Sequence, residues 1–258
     1  MRIFAIVATL LLLVMAKASI AGEATECLEY SSANQAYLKG DYKAASDSYK
    51  ACIERGFSNP EIYYNAANSF FKLGIMGETI LYYERAHRLR PRDADINYNL
   101  GLARSRIEEM TKNVDIVTSS GVFKGASQYV DWFRLEEAEY VFFLFYYLSM
   151  ALLAAYWIIS SHNFRNALFF IMLFTFTSSA VSGLFLGMKI YTIETEISGV
   201  LKGKIVTVRD GPNPSAKAAF DAPEGIVVQV ESEEDNYVRV RLLNGMVGWV
   251  KKENVSRL

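Results

Sequence analysis

The sequence predicts a multidomain protein with an all-α solenoid of helical repeats, a transmembrane α-helical hairpin and a small all-β barrel. Three observations predict this fold class. Residues near the N-terminus repeat at intervals of 34, two long apolar runs without charge follow, and the C-terminal region alternates apolar residues with turn formers. Each pattern has a different period, so each predicts a separate structural unit.

The repeat aligns three segments without a gap. Its matched positions are Leu28, Ile62 and Ile96; Tyr30, Tyr64 and Tyr98; Ala33, Ala67 and Gly101; Gly40 and Gly74; and Tyr49 and Tyr83. This period is typical of a helix-turn-helix unit, in which small residues let two helices cross closely. Residues 94–109 match only the first helix of a third unit, which predicts a capping helix.

These segments resemble tetratricopeptide repeats, and the best match runs from Ala66 to Pro91. The resemblance implies a repeat domain at 22–112 that binds other proteins in a concave groove. The implied groove positions lie on the first helix of each unit and are Tyr30, Asn34, Tyr64, Asn65, Asn68, Tyr98 and Asn99. Aromatic rings and amides of this kind suit an extended peptide.

Two further points concern the ligand and the aromatic residues of the groove. Some family members hold a terminal carboxylate with basic residues, but this chain has Tyr30, Asp95 and Asn99 in those places, so such a ligand is not expected. Tyr37, Phe70 and Phe71 fit packing within the solenoid as well as contact with a ligand.

Residues 1–21 have the pattern of a secretory signal peptide. Arg2 precedes an apolar stretch at 3–16, and Ser19-Ile20-Ala21 provides small residues for cleavage. An uncleaved anchor is the alternative. In both cases we expect the repeats to begin outside the cytoplasm.

The composition of the chain indicates a membrane, since 52% of its residues are hydrophobic and 21% are charged. Residues 140–159 and 167–188 are uncharged, and each run has about the 20 residues needed to cross the hydrocarbon core as a helix. The loop 160–166 is short, so the two runs should form a hairpin. An even number of spans then places both soluble parts on the periplasmic side of the cytoplasmic (inner) membrane.

Small residues mark one face of the second span. Ser179, Gly183 and Gly187 recur every four residues, which favours close approach of another helix. The expected partner is the first span, through Ala151 and Ala155; a helix of another subunit is the alternative.

Two linkers flank the hairpin. Residues 113–139 mix aromatic and polar side chains, and we expect a linker that ends in an interfacial amphipathic helix. A surface docked on the repeat domain is the alternative. Residues 189–203 form the second expected linker.

Residues 204–258 contain short alternating strands separated by turn signals such as Glu224-Gly225 and Asn244-Gly245. This region resembles the bacterial SH3 domain, an SH3-like barrel, and Gly248-Trp249 is the most specific part of the match. Tyr237 stands where the family often has Trp. The resemblance implies that Tyr237 and Trp249 lie on the binding surface of the barrel.

The sequence offers little catalytic chemistry, so we expect no enzyme, no cofactor and no metal. Its two histidines, His87 and His162, fall on opposite sides of the predicted membrane and cannot form one site. The acidic run 231–235 lacks the spacing of a calcium loop and is expected to be a solvated turn. A formal net charge of -1 without a basic stripe disfavours nucleic-acid binding.

Cys27 and Cys52 fall at the same end of the first predicted helix pair. In an oxidising compartment this placement favours a disulfide. The alternative is that Cys52 fills the small-residue position held by Ala86 in the next unit.

The order of signal peptide, repeats, membrane hairpin and terminal SH3 domain resembles the BatE family of bacterial aerotolerance operons. The resemblance implies a membrane-attached accessory protein whose partners are von Willebrand A-domain Bat proteins. Two functions follow as expectations. One is a non-enzymatic scaffold that gathers membrane or periplasmic proteins; the other is a cell-wall sensor whose SH3 domain binds peptidoglycan peptides.

Overall fold

The computed structural model describes residues 27–111, 132–159, 161–195 and 197–258. The predicted signal peptide at 1–21 lies outside these ranges. So does most of the predicted linker and interfacial helix at 113–139, of which only 132–139 are described.

Residues 27–111, which we call the repeat domain, are all helical apart from short connections. The helices are α1 (Leu28–Leu38), α2 (Tyr42–Glu54), α3 (Pro60–Leu73), α4 (Met76–Leu89) and α5 (Ala94–Thr111). Gly40 and Gly74 end α1 and α3 with φ of +80° and +75°. Glycine adopts this left-handed conformation without strain, so the two 34-spaced glycines produce the same turn in each pair.

Small residues hold the helix pairs close together. Five alanines are fully buried where the helices cross: Ala33, Ala45, Ala66, Ala67 and Ala86. Tyr49 and Tyr83 fill the larger spaces and are 1% and 2% exposed. Burial of each such large side chain stabilises the fold by about 1.5–3 kcal/mol, so packing rather than helix propensity determines this region.

Helix α5 is longer than the first helices of the other two units. Glu108 occupies the position that Gly40 and Gly74 hold in those units, so the chain does not turn there and α5 continues to Thr111. Its buried face consists of Ile96, Leu100, Ala103 and Ile107. A helix of this kind covers the apolar side of the preceding pair, as the sequence predicts for a cap.

Two long helices form a hairpin, α6 (Leu135–Ile158) and α7 (His162–Thr195). Both are long and apolar enough to cross a membrane by length and composition. The connection is shorter than the predicted loop 160–166, because α7 already begins at His162. At 1.5 Å per residue α7 is roughly 51 Å long, so it exceeds the ~30 Å of a hydrocarbon core.

The C-terminal region is one antiparallel sheet of seven strands. The strands are β1 (Ser198–Leu201), β2 (Ile205–Arg209), β3 (Ala218–Pro223), β4 (Val227–Glu234), β5 (Tyr237–Leu242), β6 (Val247–Lys251) and β7 (Val255–Arg257). Their spatial order is β3-β2-β6-β5-β4-β1-β7. Alternate valines point into the core, which explains the period of two in the sequence.

The predicted linker 189–203 is largely ordered secondary structure. Helix α7 continues through its first part, and β1 pairs with β4 and β7 in its last part. Val200 and Leu201 are fully buried, so this strand completes the core of the sheet. Strand β1 has four residues, which are too few to show a period of two, so the sequence did not predict this strand.

Candidate interaction surfaces

The first helices of neighbouring units are joined by hydrogen bonds between the predicted groove residues. Asn65 Nδ2 donates to the Tyr30 hydroxyl at 3.3 Å, and Asn99 Nδ2 donates to the Tyr64 hydroxyl at 2.6 Å. Each bond links residues 35 apart in the sequence. We call these two bonds the tyrosine–asparagine ladder.

A second set of bonds lies within each helix pair. The Tyr49 hydroxyl donates to Asn34 Oδ1 at 2.5 Å, and the Tyr83 hydroxyl donates to Asn68 Oδ1 at 2.5 Å. Both tyrosine rings are buried, so the asparagine oxygens satisfy hydroxyls that would otherwise lack a partner in the core. Asn34 and Asn68 therefore have a structural role, in addition to the ligand contacts that the sequence predicts.

Exposure separates the groove residues into two groups. Tyr98 is 72% exposed, whereas Tyr30, Asn34, Tyr64, Asn65, Asn68 and Asn99 are half-buried. The aromatic residues for which the sequence left solenoid packing open are also partly or fully covered. Tyr37 and Phe71 pack against the core, and Phe70 is 7% exposed.

Burial raises the pKa of Tyr82 to about 12 and raises the pKa values of Tyr49 and Tyr83 further. Desolvation is the main cause, because it disfavours the charged tyrosinate. These groups keep their protons in the folded state at pH values where the unfolded chain loses them. Their effect on stability is absent below about pH 10 and becomes a loss as pH rises above that value.

We therefore expect the buried tyrosines to lose their protons at a higher pH than exposed tyrosines do. Their ionisation should be accompanied by unfolding of the repeat domain. In tyrosinate absorbance, part of the signal of the 16 tyrosines should appear only above about pH 10, together with loss of helical circular dichroism. The urea-unfolded chain is the control and should titrate in one step near pH 10. A native chain that titrates completely in the same step, with its helices intact, would contradict this expectation.

Cys27 and Cys52 form a disulfide with their Cα atoms 5.8 Å apart. It connects the residue before α1 to the last turns of α2, at the same end of the helix pair. Glu29 lies close to both sulfur atoms. Because the sulfurs are bonded to each other, this cluster is not a set of metal ligands in the oxidised protein.

In the SH3 domain the structure corrects one predicted surface residue. Tyr237, on β5 between β4 and β6, is 6% exposed and therefore does not belong to the exposed surface of the sheet. Trp249 is half-buried and lies between Arg209 on β2 and Arg239 on β5 in the cross-strand register. Residues directly opposite one another point to the same face, so the indole shares a face of the sheet with both arginines. Arg209 Nη1 donates to the carbonyl oxygen of Ala216 at 2.8 Å, and Arg239 forms an ion pair with Glu231.

Gly248 explains why the Gly-Trp pair is specific. A Cβ atom at this position would overlap Cγ1 of Val208 and lie 3.1 Å from the carbonyl oxygen of Arg209. The close approach of β2 to β6 thus requires glycine here, whereas Trp249 points away from this contact.

The sequence did not predict the junction between the repeat domain and the SH3 domain. The backbone N–H of Gly77, in the first turn of α4, donates to Glu224 Oε2 at 3.2 Å. Arg85 Nη2, further along α4, donates to the carbonyl oxygen of Arg257 at 2.8 Å. The buried residues of the two domains belong to one hydrophobic cluster.

Two glycines make this junction close. Gly225 has φ of +86°, and a Cβ atom there would overlap Cδ1 of Ile107 and lie 3.2 Å from the carbonyl oxygen of Met76. A Cβ atom at Gly77 would lie 3.1 Å from the carbonyl oxygen of Leu201. The one sequence signal was Gly77 itself, a poor helix former placed inside a helix without a turn to explain it.

The junction continues to the hairpin through an ion pair. Arg92, in the connection between α4 and α5, bonds to Glu137 in the first turn of α6. The start of the hairpin is therefore connected to the repeat domain, which in turn contacts the C-terminal sheet.

Within the hairpin, small and polar residues lie between the helices. A Cβ atom at Gly183 would be 3.0 Å from the Phe142 ring, and Ser179 is 7% exposed. Gly187 does not share this face, since a Cβ atom there would meet nothing within 4 Å of it. Each four-residue step rotates about 40° around a helix, so a row of three such residues turns away from a straight neighbour.

The partner surface on α6 also differs from the expectation. Ala151 is exposed and Ala155 is half-buried, whereas Ser149 is 4% exposed. Phe142, not an alanine, contacts Gly183. An aromatic ring against a glycine gives the same close approach as two small residues would, which sequence spacing does not reveal.

Replacement of Gly183 by leucine should weaken the hairpin by about 1–3 kcal/mol, because the added side chain must displace the Phe142 ring. Leu184→Ala is the matched control, since Leu184 is 76% exposed and its loss leaves the contact intact. Thermal stability in detergent and crosslinking between the helices measure both variants. Equal stability of Gly183→Leu and the parent would exclude this packing face.

Residues 202–257 match the family model described as the bacterial SH3 domain. No curated protein matches the chain at a significant level. The matched region contains β2 to β7, the Gly248-Trp249 pair and the Glu224–Gly225 turn that contacts the repeat domain. The C-terminal domain of this protein thus resembles bacterial SH3 domains in sequence as well as in its antiparallel sheet.

Proposed function

We propose that this protein is a non-enzymatic, membrane-anchored scaffold that presents a tetratricopeptide-type groove and an SH3 domain on the outer face of the cytoplasmic membrane. The observation that supports this most is the junction of Gly77, Glu224 and Gly225, which unites two interaction domains at one end of a hairpin of membrane-length helices. A scaffold needs this arrangement, because it must hold two binding surfaces in a fixed relation.

The contact between the domains also supports the proposed topology. A two-helix hairpin returns the chain to the side from which it entered, and two domains in contact must share a side. The ion pair between Arg92 and Glu137 lies where α6 begins, beside this body. A predicted signal peptide then makes the shared side the periplasmic one.

An engineered cysteine at Asn213, in an exposed part of the SH3 domain, tests the topology. Both natural cysteines are in a disulfide, so only the new thiol should react with a membrane-impermeant reagent. We expect labelling in intact cells whose outer membrane has been permeabilised. Protection until the inner membrane is broken would place the SH3 domain in the cytoplasm.

The groove supports protein binding rather than a small ligand. Tyr98 and Leu102 are 72% and 45% exposed, and half-buried amides lie beside them. Rings and apolar side chains of this kind provide most of the energy in protein interfaces. By the resemblance to the BatE family, the proposed partners are von Willebrand A-domain Bat proteins in an aerotolerance complex.

The test is crosslinking of the full-length protein in native membranes, followed by detergent solubilisation and identification of the bound proteins. Recovery of von Willebrand A-domain membrane proteins would support the Bat assignment. Recovery of no membrane or periplasmic protein would contradict the scaffold.

A cell-wall sensor is the second candidate, and the match to bacterial SH3 domains favours it. Trp249 offers a half-buried aromatic ring on the same face as Arg209, whose positive charge suits peptides that bear carboxylates. Retention of the full-length protein on purified peptidoglycan should then fall for Trp249→Ala. Trp157→Ala is the control. Trp157 lies in the hairpin helix α6 and is 82% exposed, so its loss should leave retention unchanged.

A further inference from the structure

The tyrosine–asparagine ladder repeats with the period of the chain and then stops. The Tyr30 hydroxyl accepts a hydrogen bond from Asn65, and the Tyr64 hydroxyl accepts one from Asn99. In each case the amide donor lies 35 residues after the tyrosine. Tyr98 is the third tyrosine of the series. The residue 35 positions after it is Phe133, whose ring contacts Phe185 at 5.8 Å in the hairpin. The chain therefore supplies no amide to Tyr98 from this position.

The neighbours of Tyr98 are also uncovered. Gly101 stands where the other units have the fully buried alanines Ala33 and Ala67, yet a Cβ atom at Gly101 would have open space around it. Leu102, one residue further, is 45% exposed. We call Tyr98, Gly101 and Leu102 the end face.

The described part of the chain does not build the helix that would cover the end face. In the first two units a glycine turn brings the second helix back onto the first, but α5 has Glu108 at that position and continues straight. Among the described residues, this is the one first helix without a following helix packed on the equivalent alanine or glycine position. The ladder bonds join each first helix to the next first helix, and among the described residues no further first helix follows α5, so the ladder ends at Tyr98.

We propose that the end face binds an amphipathic helix of a partner protein, which presents an Asn or Gln amide to the Tyr98 hydroxyl and apolar side chains to Leu102. The partner is a helix because both internal examples of this interface join two helices. Gly101 adds to this, since the absence of a side chain lets a partner backbone approach closely, as at other small-residue helix crossings. This inference rests on the proposed scaffold function and specifies the partner's secondary structure and chemistry.

The experiment uses the full-length protein in its native membranes, with the photocrosslinking residue p-benzoylphenylalanine at Leu102. We expect crosslinks to one segment of another protein, which is helical and has Asn or Gln within one turn of the crosslinked residue. Tyr98→Phe removes only the hydroxyl and should lower the yield about threefold to tenfold, the effect of one lost hydrogen bond. Tyr42→Phe, at the start of α2, is the control and should not change the yield.

Several results would overturn the inference. These are crosslinks only to residues 112–131 of the same chain, to a second copy or to an extended segment, no crosslink at all, or a yield unaffected by Tyr98→Phe. If partners still copurify in any of these cases, the scaffold function stands and only the end face is excluded. If the parent protein recovers no partner, the scaffold function itself fails.

Discussion

Gly225→Ala is expected to destabilise the protein by about 2–5 kcal/mol and to loosen the SH3 domain from the repeat domain. A left-handed φ costs an L-residue about 1–2 kcal/mol, and Gly225 has φ of +86°. The added methyl group must also displace Ile107 or the Met76 backbone, and such overpacking typically costs about 1–3 kcal/mol. Urea unfolding in detergent measures the first effect, and amide exchange at Gly77, whose N–H donates across the junction, measures the second.

Gly245→Ala is the matched control for this prediction. Gly245 has nearly the same φ, +87°, but a Cβ atom there would meet nothing within 4 Å. This variant should lose only about 1–2 kcal/mol and leave exchange at Gly77 unchanged. If the two variants behave alike, the domains are not docked in solution and the scaffold would lack its fixed geometry.

Asn68→Leu should destabilise the repeat domain by about 1–3 kcal/mol, because it leaves the buried Tyr83 hydroxyl without a partner. Tyr83 is 2% exposed, so water does not readily replace the asparagine. The sequence predicts Asn68 as a groove residue, and the structure adds a second role for it in the packing of the helix pair.

A double-mutant cycle isolates this bond. Tyr83→Phe removes the hydroxyl, so the combined Asn68→Leu and Tyr83→Phe variant should regain about 1 kcal/mol or more relative to Asn68→Leu. Helical circular dichroism during urea unfolding provides the free energies. Strictly additive losses would show that the two side chains are not coupled, and Asn68 would then return to a purely binding role.

The repeat domain illustrates how far sequence reasoning reaches. The turn at Gly40 and Gly74 and the burial of the aligned alanines follow from the 34-residue period, and the structure confirms an all-α region there. The tyrosine–asparagine ladder also has a sequence signal, an aromatic and an amide 35 residues apart. Both residues are predicted groove positions, but the bond between them is not predicted, since spacing alone does not show which side chains face each other.

The hairpin and the SH3 domain show the same division. Apolar runs predicted two membrane-length helices, and the Gly-Trp pair predicted the SH3 domain, both of which are confirmed. The predictions that Gly187 shares the packing face and that Tyr237 lies on the binding surface were wrong, because both positions depend on the path of a neighbouring element. The tetratricopeptide and BatE assignments and the signal peptide stay predictions.

The units of this protein follow from its sequence, since helix pairs, membrane-length helices and alternating strands depend on periodicity among residues close in the chain. How the units join depends on contacts between residues far apart in the chain. Gly77 and Gly225 are 148 positions apart, and nothing in either local pattern shows that Gly225 lies against the backbone of Met76, the residue before Gly77. Such contacts depend on the shape of two complete surfaces, so they emerge only when both domains have folded and packed at native density.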